Sequence, residues 1–353
     1  MDGDRAVAPS RMTNDPMASG GSPPTPRAQP ERPERSLAAS LALLAVLHFV
    51  FAYGAIHLSR QPGSVATLWY ANAVVAVVLL SHRRAEWPLH LLAMAVANVA
   101  ANLFSGHATG LSLSFLLPNL VEAALAAALL RLAGPPARCV QQVGALLWAL
   151  VLGAIVPSFV GATLGAAVLS MQFDAPVGSL WSAWFVGTVI GGVSVLPLGL
   201  LLLARGWRTV LAALVRPAVT TAVLISVATA ASASVFSHFR YVYVSVALML
   251  VAAIGGFAGA ATGGLLASLS VGVVIALGLF HPAPGEGWLE TVAFYLPVVL
   301  TLVPPLLLAA ALERNRQHVH EIEDREAQFR TLYERTPVMM HSVDVERRLV
   351  AVN

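Results

Sequence analysis

The sequence predicts an all-α polytopic membrane helix bundle, on three observations. Hydrophobic residues make up 57% of the 353 positions and charged residues only 11%, under half the share of about 25% found in a soluble domain. Apolar runs near the roughly 20 residues that carry a helix across the hydrocarbon core recur along the chain, and mean hydropathy is +0.75. Charge is also segregated. Between Leu37 and Leu312 the only acids are Glu86, Glu122, Asp174, Glu286 and Glu290, whereas acids and arginines crowd together from Glu313 onward.

The elements follow in order. Residues 1–36 are rich in Pro, Gly, Ser and Arg without an apolar period, so they are expected to form a disordered tail. The first apolar run starts too late for a cleaved secretory leader and is expected to remain as a span. Residues 37–312 form the membrane domain, with predicted spans at Leu37–Leu58, Val65–Ser81, Pro88–Phe104, Leu111–Leu132, Val143–Met171, Trp181–Ala204, Ala218–Ser237 and Leu289–Leu312. Tyr241–Phe280 is too long for one crossing and is split in two by a turn near Gly255–Gly259. That gives about ten transmembrane helices. Eight is the alternative, because the second and third spans are short and the split rests on length alone. Between two spans, Arg205–Pro217 is too short and charged to cross. Its Trp207, Val210, Leu211 and Leu214 share a helical face suited to the membrane surface.

Arginine placement sets the orientation. With the N-terminus inside, the inner loops hold Arg83, Arg84, Arg131, Arg138, Arg205, Arg208 and Arg216, and the outer loops only Arg60 and Arg240. Both termini are expected in the cytoplasm of a bacterial cell, with the chain in its inner membrane. Every basic side chain is arginine and the net charge is +3. That pattern gives no ground for a nucleic-acid partner. One cysteine, Cys139, excludes an intrachain disulfide and a cysteine-built metal cluster.

Few polar residues stand inside the predicted spans. Glu122 is the carboxylate well inside one, where a charge is costly unless neutralised or paired. Asn119 lies one turn before it, and Asn98 and Asn102 share a face at i, i+4. These side chains are candidates to line a pocket for a small molecule, ion or proton. The competing reading makes them interhelical hydrogen-bond staples, each worth about 0.6–2 kcal/mol. Trp69, Trp181 and Trp184 fall near predicted span ends, where indoles anchor at the lipid–water boundary. Pro118, Pro157, Pro197, Pro297 and Pro304 are expected to kink or break their helices. His57, His107, His238 and His281 fall near the outer face, but no spacing there defines a metal site. No nucleophile–base pair, phosphate-binding glycine loop or HExxH sequence occurs, so no catalytic residue, cofactor or metal is assigned.

Several of these segments resemble the first class of the MASE family, membrane-associated sensors of bacterial signalling proteins. Leu68-Trp69-Tyr70-Ala71-Asn72-Ala73 resembles the family's Trp-Pro-Pro-x-Gly span, and Trp87-Pro88 with Ala97-Asn98 its Trp-Pro-to-Asn span. Pro118-Asn119-Leu120-Val121-Glu122 is similar to its Asn-x-x-Glu element, and Leu130-Arg131 to the exit from it. Trp181 to Pro197 is similar to the Trp-Trp-x-Gly-Asp segment that closes with Ala-Pro-Leu. Two departures stand out. Tyr70 and Ala71 replace the prolines, and Thr188 stands where the family usually has aspartate. The resemblance adds Trp69 and Trp184 to Glu122, Asn119, Asn98 and Asn102 as candidate sensing residues.

Past Leu312 the pattern becomes that of a helix in water. Leu312, Asn315, Val319, Ile322, Glu326, Phe329 and Tyr333 alternate three- and four-residue spacings, a heptad seam with polar interruptions. Glu321–Arg325 and Glu326–Arg330 are placed for i, i+4 pairing. Residues 313–336 are therefore expected to form a signalling helix, a coiled-coil stem joining two copies in a homodimer. Phe329 to Pro337 resembles the opening of a PAS domain. Strands are expected over Val338–Asp344 and Leu349–Asn353, so residues 337–353 read as the truncated start of an α+β PAS fold in a piece of a longer protein.

The resemblance implies an input module that receives an unknown small-molecule or ionic stimulus and relays it through the stem. The expected output domain is a sensor histidine kinase, or alternatively a diguanylate cyclase/phosphodiesterase. No catalytic domain is expected within residues 1–353. A secondary transporter is the reading from another class, since broken helices and an intramembrane acid fit that too.

Overall fold

The computed structural model describes residues 37–59, 66, 68–172, 176–215, 218–234, 241–279, 288–335, 341–343, 345–346 and 348–352. The predicted tail, Arg60, Arg216, Arg240, His238 and His281 lie outside them. The described chain is built almost wholly of helices. They are α1 (Leu37–Ser59), α2 (Ala71–Ser81), α3 (Trp87–Phe104), α4 (Thr109–Ser114), α5 (Leu116–Ala133), α6 (Pro136–Gln141), α7 (Val143–Leu150), α8 (Val156–Leu169) and α9 (Val177–Arg205). Then come α10 (Trp207–Val215), α11 (Ala218–Ser234), α12 (Val242–Ala276) and α13 (Trp288–Arg335). Two short strands, β1 (His341–Val343) and β2 (Leu349–Val352), pair antiparallel with His341 opposite Val352. They fall inside the segments expected to be strands, but two strands are too few to define a domain.

Among the described residues, seven helices are long and apolar enough to cross a membrane with α12 counted once, or eight if the bent α10–α11 pair counts as one crossing. The upper count equals the alternative of eight, and its distance from the expected ten has two local causes, one in α2 and one in α12. Residues 68–70 are not helical, so α2 keeps only 11 residues, about 17 Å of helix against roughly 30 Å of hydrocarbon core. The 35-residue α12 is broken at Gly256, whose φ of 57° and ψ of −149° no helix tolerates. Gly259 and Gly263, beyond the break, face Val251 and Leu248 before it, so the two arms fold back on each other. The predicted turn near Gly255–Gly259 is this reversal. The prolines divide into those that interrupt a helix and those that do not. Pro297, Pro304 and Pro305 sit inside one continuous α13, and Pro197 inside α9. Pro118 stands in the first turn of α5, just past the interruption at Phe115 that separates α4 from α5, and Pro157 coincides with an opened turn. Pro157 has no N–H for the Gly153 carbonyl, and Val151–Ile155 is π-helical.

Helix α9 is the axis of the bundle, with 83% of its most apolar stretch buried against 33% for α1 and for α3. Its glycines admit α2 at backbone distance. The Trp69 N–H donates to the Gly187 carbonyl at 3.0 Å, Gly191 lies against the Trp69 carbonyl, and Gly199 against Val77. So α2 runs parallel to α9, and their C-terminal ends lie together. Arginines collect at that end. Arg131 Nη2 donates to the His82 carbonyl at 2.9 Å, and its guanidinium covers the Trp87 ring at 4.8 Å. Ser40 Oγ sits between His82 Nε2 and His90 Nε2, at 2.9 and 3.1 Å. Arg205 pairs with Glu313, and the reversal at Gly256 lies beside Glu313 and Arg316. The start of α1, the end of α9 and the exit of α13 thus share one arginine-rich end.

Cys139 on α6 is 1% exposed, and burial pushes its thiol pKa up. Less thiolate is then present at neutral pH than in a free cysteine. Maleimide labelling in native membranes is expected to be roughly tenfold slower than in the unfolded chain, and to speed up as pH rises. Labelling at the unfolded rate would mean that α6 does not pack on α9 and α13.

Past Leu312, α13 continues as an exposed helix. Val319 is 46%, Ile322 65% and Phe329 65% exposed. Glu326 pairs with Arg330 at 3.5 Å, as the spacing predicts. Glu321 instead lies 3.9 Å from His318, and the expected Glu321–Arg325 pair is not among those formed by the described residues.

Candidate functional site

Asn119 and Glu122 occupy successive turns of α5, 2% and 4% exposed, with hydrogen-bond partners on α2, α8 and α9. The carboxylate enters the seam between α8 and α9. Ser158 Oγ donates to Oε1 at 3.4 Å, and Trp184 Nε1 donates to Oε2 at 3.3 Å. Two glycines of α8 make the room. A Cβ at Gly161 would overlap Glu122 Oε2, and one at Gly165 would stand 2.6 Å from the Trp184 ring. From α2, Asn72 Nδ2 donates to Asn119 Oδ1 at 2.9 Å. Among the described residues no cationic side chain pairs with Glu122; its hydrogen-bond donors are neutral.

A second polar string lies on α3. Asn102 Nδ2 donates to the Asn98 carbonyl at 2.9 Å, Asn98 Nδ2 lies 3.4 Å from His48 Nε2, and His107 Nδ1 meets Asn102 Oδ1 at 2.8 Å. Between the two strings is a cavity of about 30 Å³, lined by Ile56, Ala66, Trp69, Asn102, Phe115, Asn119, Trp184 and Thr188. That volume holds a few water-sized groups. Two buried polar atoms near it lack a protein partner, Trp69 Nε1 and Asn72 Oδ1.

The fold therefore brings the sequence-predicted residues together. Trp69, Asn102, Asn119 and Trp184 line the cavity, Glu122 stands one turn behind Asn119, and Asn98 stands behind Asn102. The boundary-anchor reading is corrected for Trp69 and Trp184, which are 8% and 5% exposed. Trp181 stays partly exposed, its Nε1 donating to Thr163 Oγ1 at 3.2 Å. Thr188 lines the cavity and donates its hydroxyl proton back to the Trp184 carbonyl at 3.1 Å. His107 is buried beside Asn102 while His57 is exposed. No group of three or more potential metal ligands occurs among the described residues. Sequence reasoning missed Ser158, Gly161, Asn72 and His48. Asn72 and His48 carried a usable signal, each a polar side chain inside an otherwise apolar run.

A many-spanned helix bundle with amides lining a cavity and a buried acid one turn behind them defines the class: an integral membrane protein with an intramembrane polar site. The sequence profile of the MASE1 family matches residues 40–316, and the chain belongs to that family. It is 29% identical over 161 residues to a probable diguanylate cyclase, DgcE, of Escherichia coli (strain K12), covering 46% of this chain and 14% of that protein. No solved structure matches.

Proposed function

We propose that this chain is the membrane-embedded sensory input of a bacterial signal-transduction protein, in which the Glu122 cavity receives the stimulus and α13 carries the response inward. One observation carries the reading. A single helix runs from the buried bundle into an exposed stretch bearing Val319, Ile322 and Phe329, apolar side chains that a second copy in parallel register would cover. Two bundle states that bind the stimulus unequally would shift in population and move the stem.

The arginine-rich end is the cytoplasmic one in this reading, because positive charge is retained inside. Both termini of the bundle then face the cytoplasm of the inner membrane, and β1–β2 begins a PAS domain. Similarity to a protein named as a probable diguanylate cyclase favours a cyclic-di-GMP output over the histidine kinase that the sequence put first. The transporter reading has no use for the exposed helix, and proteoliposomes containing the bundle are expected to show no solute uptake.

Glu122→Gln in the full-length protein is the test. Output measured in cells across candidate stimuli is expected to lose its dependence on the stimulus while membrane accumulation is kept. Regulation unchanged from wild type would reduce the bundle to an anchor.

A further inference from the structure

We propose that the cavity beside Glu122 holds a small monovalent cation together with one of its waters, the cation being of the ammonium or alkali-metal kind. The inference rests on the sensory reading of the same site and names the chemistry it takes.

Charge gives the first reason. Glu122 is 4% exposed in a lipid-spanning helix and its hydrogen-bonding neighbours are neutral, the Trp184 indole and the Ser158 hydroxyl with the Asn72 amide and Thr188 hydroxyl beside them. A buried carboxylate is costly unless it takes up a proton or gains a counter-charge. The arginines of the described chain stand at the ends of the spans or beyond them, out of reach. A cation in the neighbouring cavity, one side chain away across Trp184, supplies the counter-charge that keeps Glu122 ionised.

The cavity walls give the second. Trp69, Phe115 and Trp184 all line it, with Phe115 and Trp184 ring centroids 5.9 Å apart. Aromatic faces attract cations, most strongly when both are out of water. Trp184 also links wall to acid. Its N–H donates to the carboxylate, which pushes electron density into the indole and makes the face it presents a better cation seat. Asn119 and Asn102 add amide dipoles on the remaining sides.

Size and the unpartnered indole give the third. The space of about 30 Å³ open to water-sized groups fits a bare small cation and a water. Trp69 lines the cavity, is 92% buried by its 8% exposure, and its Nε1–H finds no acceptor in the protein. A cation alone cannot accept that proton. The oxygen of an accompanying water can.

The test is a titration of the chain in lipid nanodiscs, at fixed ionic strength balanced with N-methylglucamine chloride, a cation too bulky for the cavity. Ammonium, methylammonium, sodium and potassium chlorides are added in turn, and tryptophan fluorescence and the thermal unfolding midpoint are read. At least one small cation is expected to give a saturable change in both, since a ligand bound only by the folded state raises the midpoint. Glu122→Gln is expected to weaken that response at least tenfold. Thr188→Asp, placing a second carboxylate on the wall, should strengthen it several-fold. Trp184→Phe, which keeps a ring but loses the bond to Glu122, should fall between wild type and Glu122→Gln. Ammonium-type and alkali cations are told apart by which arm saturates.

No saturable response from folded wild-type protein, or an equal response in Glu122→Gln, would overturn the proposal. Its failure is separable from failure of the sensory reading. If Glu122→Gln removes regulation in cells while no cation binds, sensing stands and the cation does not. If a cation binds and regulation is indifferent to Glu122, the reverse holds.

Discussion

Gly191→Ala is expected to eliminate folded protein from the membrane. The new methyl group on α9 would overlap the Trp69 carbonyl and come within 3.0 Å of Tyr70 Cα. Both are backbone atoms, so no rotamer change relieves the clash. Nor can the segment retreat. Its Trp69 N–H is bonded to the Gly187 carbonyl at 3.0 Å, and the 1%-exposed Tyr70 ring is tied through its hydroxyl to Ser268 Oγ at 2.9 Å. Overpacking against immobile atoms costs on the order of 3 kcal/mol or more. Gly255→Ala is the matched control. Nothing lies within 4 Å of its added Cβ, so it should be neutral or stabilise by up to about 1 kcal/mol. Fluorescence-detected size exclusion of tagged variants reads both. Equal yields from the two would mean that α2 does not approach α9 as described.

Glu122→Ala should be the next most damaging change, and its contrast with Glu122→Gln is informative. Alanine leaves the Trp184 N–H and the Ser158 hydroxyl without an acceptor and opens a void against Gly161. The cavity and the orphaned donors together are expected to cost about 2–4 kcal/mol. Glutamine keeps the shape and a carbonyl oxygen for Trp184, so the loss should be under about 1 kcal/mol. Thermal unfolding in nanodiscs measures the pair. A site that only staples helices would tolerate glutamine in signalling as well as in stability, whereas a sensing site would not.

Most of the bundle was legible because lipid imposes a simple length rule on apolar runs, and because glycines mark where a long run reverses. The break at Gly256 falls inside the predicted turn for that reason. Span count was less legible. Residues 68–70 lose helix to reach a groove made by Gly187 and Gly191, more than a hundred positions away, and no local pattern announces that contact. For the site, Glu122 and its amides were visible as polar residues in apolar surroundings. The burial of Trp184 was not. It stands only a few residues from the start of α9, where an indole normally meets the lipid boundary, but the centrality of α9 turns it inward. Ser158 and Gly161 likewise acquire a role only once α8 lies against α5.

The most direct measurement is disulfide trapping between stems in native membranes, with Val319→Cys and Ile322→Cys on the seam and Asp324→Cys off it, each with and without Glu122→Gln. Cys139 is buried and will not compete. Efficient cross-linking at the seam but not at residue 324, with a ratio between the two seam positions that changes in Glu122→Gln, is the predicted result. Cross-linking patterns that are identical with glutamate and glutamine at position 122 would contradict coupling between the cavity and the stem.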